Sequence, residues 1–359
     1  MVRAFLAVIV VSSLAAYPAL ATAPSKAKHA KHAKIVARVG NNLSQKETVR
    51  PAPRVLIATP SLEPRLRQSL TDAVNQPALD GADFGFFAAR LKDGEVLAET
   101  GADTLINPAS NAKLVTAAAA LDTLKAEHRF KTEYFVHGVL KDGTLNGNLV
   151  VKGYGDPSIV SERLSRVANE LYLLGIEKIT GNVVLDASYF DDVEEPRGWE
   201  LEDAPDRAYA APISALSVNF NAVAVYVRPG DVGKPAVVRV DPPCEHVVLD
   251  AKVTTDPLGH GVHILSQPIW SQPESSQKDK PAQGQTLLTV NGSVGAREAP
   301  SRTYRRVYEP VKYFGSMLVH FLQERGVKMR HAIVTGPVPD NARLILVDKS
   351  PRLADIITD

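Results

Sequence analysis

The sequence has a single cysteine, Cys244, among 359 residues. An internal disulfide is therefore impossible, and no group of Cys and His residues has zinc-site spacing. A lone cysteine is expected to be a small, partly apolar packing residue without chemistry. Beyond Leu20 there is no apolar run long enough to span a bilayer. Residues 55–359 are mildly acidic and lack a basic stripe, so nucleic acid is not an expected partner. Residues 24–54 lack acids instead: Glu47 alone faces Lys26, Lys28, Lys31, Lys34, Arg38, Lys46, Arg50 and Arg54. Nothing in the composition implies a metal or a cofactor.

Residues 1–23 have the pattern of a secretory signal peptide. Arg3 supplies the positive start, Ala4 to Leu20 the apolar stretch, and Ala19-Leu20-Ala21 and Ala21-Thr22-Ala23 two small-x-small exits. A retained membrane anchor is the alternative, and the small-residue exit favours cleavage. An exported, periplasmic or envelope-associated protein is expected. Residues 24–54 show no apolar period and are expected to form a disordered basic tether. Their charge suits weak contact with an anionic envelope surface, with a solvated linker as the simpler reading. His29 and His32 lie in Lys-His-Ala repeats, where the lysines would repel a cation.

With 45% hydrophobic residues, the remainder is long enough for a large core or several modules. A helix is expected from Leu62 to about Asn75, capped by Ser61, with Leu62, Leu66, Leu70 and Ala73 as its buried face. Phe84–Leu91 and Glu95–Thr100 read as a hairpin across Lys92-Asp93-Gly94. Strands are expected at 131–138 and 148–152, with turn signals at Lys141-Asp142-Gly143 and Asn146-Gly147. A helix follows over 161–174, its face formed by Leu164, Val167, Ala168 and Leu171, and then a strand at 179–185. Further strands are expected at 219–227, 236–240 and 285–290, with an exposed loop over 268–284. A helix spans 308–325, and strands return at 332–334 and 344–347.

Between the first hairpin and residue 131 lies Asn107-Pro108-Ala109-Ser110-Asn111-Ala112-Lys113. Pro108 fits a helix-entry loop, and the following residues, with Ala117 to Ala120, are apolar on nearly every side. Such a helix is expected to be buried. Residues three apart share a helix face, so Lys113 can reach the Ser110 hydroxyl. A serine hydroxyl is a poor nucleophile near neutral pH, and a buried, deprotonated lysine can serve as its base. The same serine could equally be a helix N-cap.

The order of hairpin, loop and Ser-x-x-Lys helix resembles the penicillin-recognising serine acyl-enzymes. Four segments sharpen this: Pro108 to Lys113; Gly155-Asp156-Pro157; Gly198-Trp199-Glu200-Leu201-Glu202-Asp203; and Ala211-Pro212-Ile213-Ser214-Ala215-Leu216. Together they resemble the class C low-molecular-mass penicillin-binding proteins, the D-alanyl-D-alanine carboxypeptidase/endopeptidase family.

The resemblance implies an α+β fold, an α/β sandwich of the serine β-lactamase/penicillin-binding type, with two inserted β-rich domains. It implies a catalytic domain over 55–129 and 328–359, a first insert over 130–205 and 290–327, and a second over 206–289. Ser110 would be the acylated nucleophile, Lys113 its general base, and Asp203 a substrate-binding residue for the amino end of the stem peptide. The implied partners are peptidoglycan stem peptides, with β-lactams as covalent inhibitors. The family's Lys-Thr-Gly motif occurs nowhere in the sequence. Ser217-Val218-Asn219 fits Ser-x-Asn only as a pattern, inside the inserted region. The expectation is a C-terminally truncated, incomplete catalytic domain with little turnover, or a non-catalytic wall-binding protein using the inserts.

Overall fold

The computed structural model describes residues 6–12, 53–197, 199, 204–270, 284–329 and 333–358. They form an α+β fold in two compact units, Met1–Asp122 and Thr123–Asp359.

The first unit contains β1 (Leu6–Ser12), β2 (Ile57–Ala58), α1 (Pro64–Val74), β3 (Phe84–Arg90) and β4 (Val96–Thr100). Its antiparallel sheet has the order β1-β3-β4-β2. Leu6–Ser12 falls in the stretch expected to be a signal peptide. Its backbone pairs with the outer edge of β3, whose N–H and C=O groups would otherwise lack ladder partners. Pro64 opens α1, where a missing N–H costs nothing. The cap is Glu63, which accepts from the Leu66 N–H at 2.9 Å. The expected cap, Ser61, instead donates to Glu95 Oε1 at 2.6 Å. Leu62, Val74, Phe86, Ala88, Leu97 and Ala98 are the buried core, with Leu66 and Leu70 packed against it.

A 3₁₀ turn, Ala109–Asn111, leads into α2 (Ala112–Leu124). This helix corrects an expectation: none of its residues is buried, and Leu114 and Val115 are 57% and 73% exposed. An all-round apolar helix has no stripe that selects a packing face. The core of the first unit is filled by α1 and the hairpin and includes no α2 side chain.

The second unit begins with β5 (Lys131–Lys141) and β6 (Thr144–Gly153), followed by α3 (Ser161–Leu173), β7 (Lys178–Ile179) and β8 (Val183–Asp186). Then come β9 (Ala222–Arg228), β10 (Val237–Asp241), β11 (Val247–Asp256), β12 (Gly261–Trp270), β13 (Gly284–Gly295) and β14 (Ser301–Arg306). It ends with α4 (Pro310–Glu324), β15 (Lys328–Met329), β16 (Ile333–Thr335), β17 (Arg343–Lys349) and α5 (Leu353–Thr358). A seven-stranded mixed sheet runs β15-β7-β6-β5-β17, with β8 between β6 and β16. Two three-stranded sheets, β10-β9-β14 and β11-β13-β12, complete the unit.

Asp142 and Gly143 turn β5 into β6 with φ of 49° and 74°, the left-handed pair a tight hairpin requires. Asn146-Gly147 is not a turn. It lies inside β6, with Gly147 opposite Gly138, and a Cβ on either glycine would strike the partner backbone. Leu164, Val167, Ala168 and Leu171 of α3 are all buried, as the periodicity requires, and α3 packs on α4. Burying each of the two leucines and the valine contributes roughly 1.5–3 kcal/mol, and the Ala168 methyl about 0.8 kcal/mol. From α4, Tyr313, Phe314, Met317, Leu318 and Leu322 enter the same core. β13 runs through the domain boundary expected at residues 289/290, and β17 pairs with β5 in the sheet begun at Lys131.

Candidate active site

The backbone before α2 is shaped by short-range bonds. Asn107 Oδ1 accepts from the Ala109 N–H at 2.9 Å, and Pro108 O accepts from the Asn111 N–H at 2.9 Å. Ala109 is held at φ 43°, in the left-handed region. Such a conformation in a non-glycine residue costs on the order of 1–3 kcal/mol. It places Ser110 in the 3₁₀ turn and Lys113 in the first turn of α2. Lys113 Nζ donates to Ser110 Oγ at 2.9 Å, with both residues exposed. The pair therefore has nucleophile-to-base geometry in a wet setting. The base role is best served where water is excluded from the pair.

Asp203 lies outside the described residues, as do Gly198, Glu200, His29 and His32. Cys244 is half-buried, and burial pushes its thiol up.

Two of the segments that carry the family resemblance meet in the second unit. Gly155 N–H donates to Ala215 O at 3.0 Å, and Gly153 is so close to Ala215 O that no Cβ fits there. Asp156 is fully covered. It accepts from the Ser158 N–H and Oγ at 2.9 and 2.7 Å, and pairs with Arg163 at 2.8 Å. Arg163 also reaches Asp348 at 2.8 Å, and Arg166 reaches the other Asp348 oxygen at 2.8 Å. Gly-Asp-Pro is thus an anchor that ties the β6 exit to α3 and β17.

Ile213 N–H donates to Glu194 O at 2.8 Å, which brings the loop carrying Asp191, Asp192, Glu194 and Glu195 alongside Ala211–Leu216. Between them is a cavity of about 520 Å³ lined by Asp186, Phe190, Asp192, Glu194, Ser214 and Val311, among others. Burial raises the Glu194 carboxyl, and Glu309 and Glu195 add to the effect. Asp186 goes the other way. Burial acts to raise it, but the bonds from Ser188, the Val338 N–H and Lys152, the last at 3.1 Å, outweigh that and lower it. Glu133 is lowered in the same manner: its burial is overcome by Lys131 at 2.7 Å and Tyr154 at 2.8 Å. Burial, with the bond to Glu133 adding to it, pushes the Tyr154 phenol up to about 12. The acids at 191, 192, 194 and 195 are visible in the sequence, but the Lys152–Asp186 pair needs the β6–β8 pairing to be seen, and the Lys131–Glu133–Tyr154 cluster needs the β5–β6 pairing.

Ser217-Val218-Asn219 has structural duties. Asn219 Oδ1 accepts from the Ser161 N–H at 2.9 Å and its Nδ2 donates to Ser161 Oγ at 2.8 Å. Val160, at the N-cap of α3, has no polar side chain, so Asn219 satisfies that first turn. Ser217 Oγ donates to Ser214 O and accepts from Asn221, both at 3.0 Å.

A hairpin, a Ser-x-x-Lys helix start, and a β-rich unit bearing the Gly-Asp-Pro and Ala-Pro-Ile-Ser-Ala segments define a protein of the low-molecular-mass penicillin-binding class. The chain belongs to the D-Ala-D-Ala carboxypeptidase 3 (S13) family, whose model matches residues 66–359. A D-alanyl-D-alanine carboxypeptidase of Actinomadura sp. (strain R39) is 30% identical over 302 residues, covering 81% of this chain and 53% of that protein. D-alanyl-D-alanine carboxypeptidase DacB of Haemophilus influenzae is 24% identical over 294 residues, covering 79% and 57%. The crystal structure of penicillin binding protein 4 (dacB) from Haemophilus influenzae superposes with a TM-score of 0.59 at 22% identity, over 76% of this chain and 57% of that one. The chain spans about half the length of the curated relatives it matches.

Proposed function

We propose that this chain carries the nucleophile of a serine-type D-alanyl-D-alanine carboxypeptidase of peptidoglycan metabolism, acting through an acyl-enzyme on Ser110. The observation that carries the reading is the 2.9 Å bond from Lys113 Nζ to Ser110 Oγ at a helix start. In this reading Lys113 takes the hydroxyl proton as Ser110 Oγ attacks the carbonyl of the penultimate D-alanine. The Ser110 backbone N–H is one oxyanion donor. The terminal D-alanine leaves with a proton, and water then hydrolyses the ester. β-Lactams acylate the same oxygen by ring opening. Asp203 holds the amino end of the stem peptide. Residues 1–23 direct export, and the protein works at the cell envelope.

One observation bears on the rate expected: the pair is exposed, whereas a preorganised, water-excluded site is worth far more to the reaction. The same exposure favours a second reading, a wall-binding protein with little turnover.

The test is labelling with a fluorescent penicillin beside a Ser110→Ala control, followed by peptide mapping. A slow covalent adduct on the peptide containing Ser110, absent from the control, is the expected result. A folded wild-type chain that takes no label, or a label that survives Ser110→Ala, removes the acyl-enzyme role from this chain.

A further inference from the structure

The sheet β10-β9-β14 has two unlike faces. Val223, Val225 and Val227 of β9 are buried, with Val238 and Val240 of β10 packed against the same core. Strand alternation turns the intervening residues the other way. The register sets Arg239 opposite Tyr226 and Tyr226 opposite Arg302, with Asp241, Ala224 and Tyr304 as the next row and Val237 and Arg228 on the other side. Arg228, Arg239, Arg302 and Tyr304 are exposed, and Tyr226 is half-buried. Asp241 is the one acid in these rows.

The Arg302 guanidinium lies 5.9 Å from the Tyr226 ring centre and 5.3 Å from that of Tyr304, and donates to the Tyr226 hydroxyl at 3.3 Å. Two tyrosines and an arginine are thereby held in place before any ligand arrives. A cavity of about 740 Å³ runs beside them, lined by Arg228, Val237, Arg239, Pro243 and Pro300 with Tyr226.

Guanidinium forks recognise carboxylates through paired hydrogen bonds. Tyrosine rings offer flat, amphipathic surfaces that suit the apolar face of a sugar ring. Three arginines against one aspartate give this face a positive sign on a mildly acidic body. The ligand that matches both features is a carbohydrate polymer bearing spaced carboxylates. We propose that this sheet face binds the glycan strand of peptidoglycan together with the carboxylates of its stem peptides. The choice of polymer rests on the carboxypeptidase reading above. Nucleic acid fits less well, because its dense phosphates call for a longer basic stripe than three arginines.

The test is co-sedimentation of the full chain with purified sacculi stripped of covalently attached anionic polymers, at about 0.15 M salt. Arg239→Glu with Arg302→Glu should lower the bound fraction roughly fivefold or more, with the far-UV spectrum and thermal midpoint unchanged. Tyr304→Ala, an exposed single change, should weaken binding to sacculi, and serves if the double variant fails to fold. Equal binding by wild type and a folded variant overturns the proposal. So does tighter binding to duplex DNA than to sacculi, or loss of wild-type binding once the attached polymers are stripped. Penicillin labelling of Ser110 is read on the same samples. Failure of this surface leaves that label intact, whereas failure of the carboxypeptidase reading removes the label whatever the sacculi show.

Discussion

Lys113 Nζ donates to Ser110 Oγ at 2.9 Å, one helical turn apart, and neither side chain is covered. The bond shows that the local sequence positions both groups without help from the rest of the chain. Positioning and activation are separate matters, since activation needs the lysine's proton to be lost.

Lys113→Ala should therefore reduce penicillin labelling of Ser110 by about 100-fold or more, the usual value of a general base. Its effect on stability should stay within about 0.5 kcal/mol, because the side chain is exposed. Labelling time courses beside urea melts separate the two. Labelling that survives Lys113→Ala would make Lys113 a solvated neighbour and nothing more.

Asp348 is nearly covered and joins Arg163 and Arg166 across most of the second unit. Asp348→Ala leaves Arg163, whose side chain is 11% exposed, short of one of its two carboxylate partners. Breaking a buried pair in this way costs about 3–5 kcal/mol. Glu170→Ala, which removes only the outer partner of Arg166, should cost about 0.5 kcal/mol or less. Urea denaturation of the two variants should show that contrast. Similar small losses in both would mean that the network is solvated.

The contrast between α2 and α3 shows what a sequence can and cannot state. Leu164, Val167, Ala168 and Leu171 recur on one face of α3, so both the helix and its buried side were readable. Ala117 to Ala120 make α2 apolar all round, so the helix was readable but its burial was not. The strands β11, β12 and β14 escaped notice. β11 and β12 are edge strands flanking β13, so their outer residues meet solvent and dilute the apolar pattern, while β14 carries Arg302, Arg305 and Arg306. Pro268 sits in the edge strand β12, where a missing N–H is tolerated. Ser110 and Lys113 were legible because they are local in sequence. The Asp156–Arg163–Asp348 network was not, because its members come from distant elements.

Acidification should destabilise the second unit in two steps. Burial lowers the His246 imidazole below its ordinary 6.5, so the unfolded chain takes up its proton first. Stability from His246 is present above that value and is lost as pH falls through the folded one. Asp186 and Glu133, lowered from 3.8 and 4.5, contribute stability above those values and lose it at lower pH. Glu194 has the opposite sign. Raised above 4.5, it contributes stability below that pH and loses it as pH rises through its folded value. Thermal midpoints measured from pH 7 to pH 3 should fall, with a shallower acid limb in Asp186→Asn. Glu194→Gln should raise the midpoint at neutral pH relative to wild type. A Glu194→Gln midpoint that tracks wild type at every pH would place that carboxylate in free solvent.

Asn219 sits at φ 51°, followed by Phe220 at 56° and Asn221 at 52°, three left-handed residues in succession. That turn directs the Asn219 amide to the first turn of α3, which Val160 cannot cap. Asn219→Ala should therefore destabilise the second unit by about 1–2 kcal/mol, the usual loss for a helix cap and its hydrogen bonds. Ser217→Ala should cost about 1 kcal/mol, by removing one of the two acceptors of the Asn221 Nδ2 group, the other being Pro212 O, and the bond to Ser214 O. Neither change should alter the rate at which penicillin labels Ser110, because both side chains already have partners within the second unit. A large fall in labelling by a folded Ser217→Ala chain would instead mark Ser217-Val218-Asn219 as a working Ser-x-Asn motif. The measurement thus distinguishes a helix-capping turn from a proton relay with the same three-residue pattern.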